Sequence, residues 1–198
     1  MTDKAKNQLP EVTSKDLKKK LTIDEKKFIT AKKSEAFYGD YIELMNTSTS
    51  EIFMVKDKFV NTENEAKRQI ALLKNRMGLN HETLQKLIDW GCIEHNDWCS
   101  KHYEIRSVWQ NPVPKMSEVM MSGQHHLETL HHSELTLSSY QILEALSWYE
   151  QNGVFHGDIR PCYIIRGSEN DTKPYYLADN SVSMNSMGDV TPSHFYCG

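Results

Sequence analysis

The chain predicts an α+β fold, and three observations carry that expectation. Residues 65–74 set apolar side chains at helical spacing, and a second, longer amphipathic pattern runs through residues 137–152 on Leu137, Tyr140, Ile142, Leu143, Leu146 and Tyr149. Before and beyond these helices lie two polar, turn-forming clusters, Asn46-Thr47-Ser48-Thr49-Ser50 and Gly167-Ser168-Glu169-Asn170-Asp171. Each has the composition of a hairpin turn between two strands.

Taken in order, the chain starts with a basic stretch. Residues 1–33 hold ten lysines against five acidic residues although the whole chain is at −4, so the remainder is strongly acidic. Ser14 can cap a short helix over Ser14-Lys15-Asp16-Leu17-Lys18-Lys19-Lys20, but apolar residues are too sparse for an independent fold. The expectation is a solvated extension over residues 1–27; the sharper reading is an arm that docks on an acidic surface, such as a tubulin lattice or another subunit. Nucleic acid is the weakest partner, because no aromatic and arginine pattern accompanies the lysines. At the far end of the second helix, Gly153 is placed as a left-handed C-cap, and Val154-Phe155 as a short strand leading to His156.

The segment with most chemistry is Phe155-His156-Gly157-Asp158-Ile159-Arg160-Pro161, followed by Leu177-Ala178-Asp179-Asn180-Ser181. An aspartate two residues after a histidine, then a basic residue and a proline, resembles the catalytic loop of protein kinases; the second segment stands where their Asp-Phe-Gly motif belongs. The resemblance continues N-terminally in the right order, from about Phe28 to Gly198. Ser34-Glu35-Ala36-Phe37-Tyr38-Gly39 has the spacing of the glycine-rich loop, Glu51-Ile52-Phe53-Met54-Val55-Lys56 matches the strand bearing the phosphate-binding lysine, and residues 65–74 match helix C. It implies a bilobal kinase-like fold: an N-lobe of antiparallel sheet plus helix C over 28–110, a hinge over 108–112, and a partial helical C-lobe over 111–198 ending in the activation segment. The loop of aminoglycoside phosphotransferases also reads His-Gly-Asp, but Pro161 and the spacing between the two helices favour the protein-kinase side.

By that resemblance Asp158 stands at the catalytic base, Arg160 at the residue that steadies the transferred phosphoryl group, Lys56 and Gly39 in the nucleotide site, and Asp179 at the magnesium ligand. Several companions are replaced. Tyr163 takes the place of the magnesium-binding asparagine, Gln69 that of the glutamate that pairs with the lysine, and Ser34 and Ala36 those of two loop glycines that let backbone amides approach phosphate. Glutamine accepts a hydrogen bond from an ammonium but does not neutralise it. Glu65, one turn earlier, is the substitute if the register shifts. Met54 stands where alanine usually packs under adenine and is large enough to fill part of that pocket. Gly157 removes the arginine that binds a phosphorylated activation loop, and His156 is expected to be a packed structural histidine.

Length and composition complete the reading. A full kinase domain needs roughly 250 residues, and this chain has 198; the expectation is a lobe completed by further chain or covered by a protein partner. No apolar run is long enough to span a bilayer, and no hydrophobic signal region opens the sequence. Cys92, Cys99, Cys162 and Cys197 have no Cys-x-x-Cys spacing, which fits reduced thiols in the cytoplasm. His125-His126 and His131-His132 lack companion ligands and are assigned to a solvated loop instead of a zinc site.

Two functions are weighed. The first is a pseudokinase, a binding or scaffolding subunit without phosphoryl transfer, its localisation cytoplasmic with a cytoskeletal assembly among the candidates. No cofactor is expected, with Mg-ATP at low affinity the one ligand the remnants allow. Positioning and electrostatics supply nearly all catalysis in this chemistry, so losses at separate parts multiply. The alternative is an atypical ATP-dependent serine/threonine kinase working through Lys56, Asp158, Arg160 and Asp179.

Overall fold

The computed structural model describes residues 9–23, 27–34, 41–49, 51–98, 100–110, 131–154, 156, 159, 164–166 and 175–177. Five strands, β1 (Phe28–Ser34), β2 (Tyr41–Asn46), β3 (Ile52–Val60), β4 (Lys86–Asn96) and β5 (Lys101–Gln110), form an antiparallel sheet in the order β1-β2-β3-β5-β4. The turn expected at 46–50 joins β2 to β3. The Asn46 side-chain oxygen accepts the N–H groups of Ser48 and Thr49 at 2.9 and 3.3 Å, the local bonding that makes asparagine a turn former.

Between β3 and β4 runs α1 (Glu63–Arg76), two residues longer at each end than the periodic stretch. Thr62 extends the start, its hydroxyl accepting the Glu65 N–H at 3.2 Å. Beyond the end comes Gly78 at φ 87°, a conformation a side chain would resist. Acidic residues in the first turn, Glu63 and Glu65, and basic ones in the last, Lys74 and Arg76, suit the helix dipole.

Alternation along β3 sends its side chains to two separate cores. Met54 and Val60 join Ala66, Ile70 and Leu73 of α1, Leu87, Trp90 and Cys92 of β4, and Tyr103, Ile105 and Trp109 of β5. Phe53 and Val55 join Val108 on the opposite face, with Phe28, Ile42, Leu44, Leu21 and Ile23 packed around them. A sheet buried on both faces reads poorly as alternation, and β4 adds a register shift between Leu87 and Asp89. Those two features account for the absence of β4 and β5 from the individual sequence assignments.

Residues 9–23 correct the expectation of a solvated extension. A 3-10 turn at Asp16–Lys18 buries Leu17 in the α1 core, a contribution of about 1.5–3 kcal/mol for a side chain of that kind. The chain then runs along β4, an edge strand, where the Lys19 carbonyl accepts the Cys92 N–H at 2.8 Å. This strap covers an edge that would otherwise offer unpaired backbone groups. Gly91 permits the close approach: a Cβ there would stand 3.0 Å from the Leu21 nitrogen and 3.1 Å from the Lys19 oxygen.

A third core lies beside the sheet, formed by α2 (His132–Gln151) and the short antiparallel pair β6 (Ile164–Arg166) and β7 (Tyr175–Leu177). The helix starts five residues before the predicted position because His131 caps it, its Nδ1 accepting the Ser133 N–H. Its end matches the expectation. Gly153 takes φ 68° and donates to Glu150 O at 3.0 Å, while Val154 donates to Tyr149 O at 2.9 Å, the Schellman pattern. Val154 is not in a strand: it buries beside Tyr149 as the apolar residue that accompanies this cap. The Leu177 N–H, bonded to Thr83 O at 2.9 Å, ties β7 to the connection between α1 and β4.

Candidate functional site

Lys56 lies in the middle of β3, in register with Tyr41 of β2 and Ser107 of β5. It is half-buried, and its ammonium lies 5.3 Å from the centroid of the Trp109 ring. That arrangement is a cation–π contact, favoured by the negative face of the indole. Trp109 is held in turn by its Nε1–H, which donates to Ser107 Oγ at 2.9 Å.

Met54, two residues before Lys56 and on the same face, is the cross-strand partner of Trp109. Both are buried, at 3% and 1% exposure, and Gln85 Nε2 donates to the Met54 sulfur at 3.0 Å. A thioether and an indole therefore occupy the face beside Lys56. The sequence assigned Trp109 only to a hinge; the strand instead continues through Gln110, and Asn111 and Pro112 lie outside the described residues. A tryptophan two positions after Ser107, opposite Met54, was the available signal, but using it requires the β3–β5 register.

On α1, Gln69 is half-buried and Glu65 is exposed. Glu65 acts electrostatically on Lys58, two residues beyond Lys56 on β3. Burial pushes the Lys58 ammonium below its ordinary pKa, Glu65 opposes the fall, and Arg68 adds to it.

Of the catalytic-loop residues, Ile159, which is exposed, and His156 are described. His156 is 2% exposed, and its ring centroid lies 6.3 Å from that of Tyr149 at 37°, so it packs against α2. Asp158, Arg160, Tyr163, Gly39 and Asp179 lie outside the described residues, as do the turn 167–171 and the segment 191–198. His131 and His132 start α2, and among the described residues no group of three or more metal-ligating side chains comes together. No helix among them is long and apolar enough to cross a membrane.

A second constellation was not anticipated. Asp89, 3% exposed, accepts from Lys19 Nζ at 2.6 Å, from Thr22 N at 2.6 Å, from Thr22 Oγ1 at 2.8 Å and from Trp90 N at 2.8 Å. Burial opposes ionisation of this carboxyl, but the bonds from Lys19, Thr22 and Trp90 outweigh it and hold the pKa below the ordinary value. The Lys19 ammonium also bonds the Trp90 carbonyl and sits 4.6 Å from the Trp90 ring centroid. Lys74 closes the other end of the strap on Glu11 O and Asp16 Oδ2 at 2.7 and 3.1 Å.

No family model matches the chain. It is 24% identical over 149 residues to a protein described as mitogen-activated protein kinase kinase 8 of Arabidopsis thaliana. The aligned part is 73% of this chain and 40% of that relative, so the chain spans about two fifths of the length of the curated relative it matches. The similarity suggests a kinase-like relationship, and the antiparallel sheet with its helix is compatible with an N-lobe of that kind.

Proposed function

We propose that this chain is a pseudokinase, a binding or scaffolding subunit of a larger assembly that performs no phosphoryl transfer. The observation that carries the reading is the Met54–Trp109 pair beside Lys56. In a kinase-like N-lobe that face is where adenine would lie, and two large buried side chains leave little room for it. Gln69 supplies no countercharge at the helix position that would otherwise order the lysine, and Tyr163 supplies no magnesium ligand.

Cytoplasmic location, a protein partner for the helical lobe and an acidic surface for the N-terminal lysines outside the strap belong to the same reading. The test is the thermal shift of the purified chain with ATP, with and without magnesium. A ligand at about 100 times its Kd stabilises the folded state by about 2.7 kcal/mol, so binding of any functional strength is visible. No shift is expected. A magnesium-dependent shift removed by Lys56→Ala and by Asp179→Ala would replace this reading with that of an atypical kinase.

A further inference from the structure

Independently of the nucleotide site, we propose that Thr22 is a phosphorylation site for a basic-directed protein kinase, and that its modification releases the N-terminal strap from β4. Three features meet at this residue. Thr22 is exposed, in a stretch without helix or strand, as a modifying enzyme requires. Lys18, Lys19 and Lys20 precede it at four, three and two residues, a charge pattern complementary to an acidic substrate groove. Its hydroxyl and N–H both bond one oxygen of Asp89, the buried carboxylate on which the strap is anchored.

In the reaction the Thr22 oxygen attacks the γ-phosphorus of ATP and its proton passes to the base of the modifying kinase. The bond from the γ-phosphorus to the β–γ bridging oxygen breaks, and ADP leaves. The product has lost the hydroxyl hydrogen that Asp89 accepted and places a phosphate of nearly two negative charges against a buried carboxylate. Lys19, already shared between Asp89 and the Trp90 carbonyl, cannot neutralise both anions. Detachment resolves the conflict and carries Leu21 and Ile23 with it. Those two side chains wall an apolar groove of about 270 Å³ whose floor includes Phe28, Ile42, Val55 and Val108, so release exposes the outer face of the sheet.

The experiment treats the purified chain with a lysine-directed serine/threonine kinase and Mg-ATP, maps the phosphate by mass spectrometry, and follows amide hydrogen exchange with and without later phosphatase treatment. The expected result is phosphate on Thr22, with exchange through residues 9–23 and at the Cys92 amide faster by about tenfold or more and restored by the phosphatase. Thr22→Ala, at an exposed position, should show neither the phosphate nor the kinase-dependent change. Phosphate confined to other hydroxyls, such as Thr13 or Ser14, overturns the proposal. Phosphorylated Thr22 with unchanged strap protection overturns it equally.

Discussion

Among the described residues, two lysines sit over tryptophan rings, Lys19 over Trp90 at 4.6 Å and Lys56 over Trp109 at 5.3 Å, and their settings differ. At Lys19 a buried carboxylate completes the site, with four hydrogen bonds converging on Asp89. At Lys56 the resemblance to protein kinases puts Gln69 where their pairing glutamate stands. The first arrangement fastens one segment of chain to another. The second sets an ammonium beside a filled apolar face. A lysine on an aromatic ring is therefore not by itself a sign of chemistry; the group that completes it decides between anchoring and ligand binding.

The largest expected effect breaks the anchoring side. Asp89→Ala leaves Lys19, the Thr22 amide and the Trp90 amide without their common acceptor, and loss of a buried, hydrogen-bonded pair partner costs about 3 kcal/mol or more. Chemical denaturation should show that loss; a change below about 1 kcal/mol would mean the strap contributes little to the folded state. The same carboxylate sets a pH dependence. Its folded pKa lies below the ordinary 3.8, so its contribution is present above that value and disappears as pH falls through the lowered one. Asp89→Asn should flatten that acid limb of the stability curve.

Next in size is Met54→Ala, which empties part of the face beside Lys56 and should cost about 2–4 kcal/mol as a core truncation. It sharpens the comparison because it has a second readout. If Met54 excludes a nucleotide, the folded variant should show an ATP-dependent thermal shift that the wild-type chain lacks. An unchanged response would leave Trp109 as the obstructing side chain. Gly91→Ala should cost about 1–3 kcal/mol, since backbone atoms of Lys19 and Leu21 must move to admit the methyl group. Its signature is faster exchange in the strap with α2 unaffected; slowed or unchanged exchange there would contradict the close approach. Lys56→Ala comes last, with a stability change of about 1 kcal/mol or less, in keeping with a half-buried cation whose contact with the Trp109 ring is worth about that much. A loss several times larger would mean that Lys56 anchors the fold as Lys19 does.

Much of the frame could be read in advance from local chemistry. Asn46 forms its own turn, Gly153 takes the left-handed cap, and the apolar spacing of residues 65–74 marks α1 to within two residues at either end. Each of these depends on side chains bonding or packing within a few residues of themselves. The start of α2 was placed five residues late because the polar turn His132–Thr136 lacks apolar spacing, and the cap from His131 lies outside the usual Ser, Thr, Asp and Asn set. Of the candidate site, Lys56 and His156 were singled out by resemblance to the protein-kinase pattern; Lys56 lies within β3 and His156 is buried, as a packed histidine should be. Trp109 was not singled out, because its relevance depends on which residue of β3 it faces across the sheet.

Sequence by itself determined the α+β class, the helices and one hairpin, since periodicity, capping and turn formation act over short separations. Tertiary structure alone decided where the lysines of residues 15–20 go. In the sequence they read as a charged, solvated run; in the fold Lys19 meets Asp89, 70 residues away, and Leu17 enters the α1 core. The difference has one physical cause. Whether a charge is solvated or paired, and whether a bulky residue fills a core or a cleft, depends on partners that only the register of β3, β4 and β5 brings within reach.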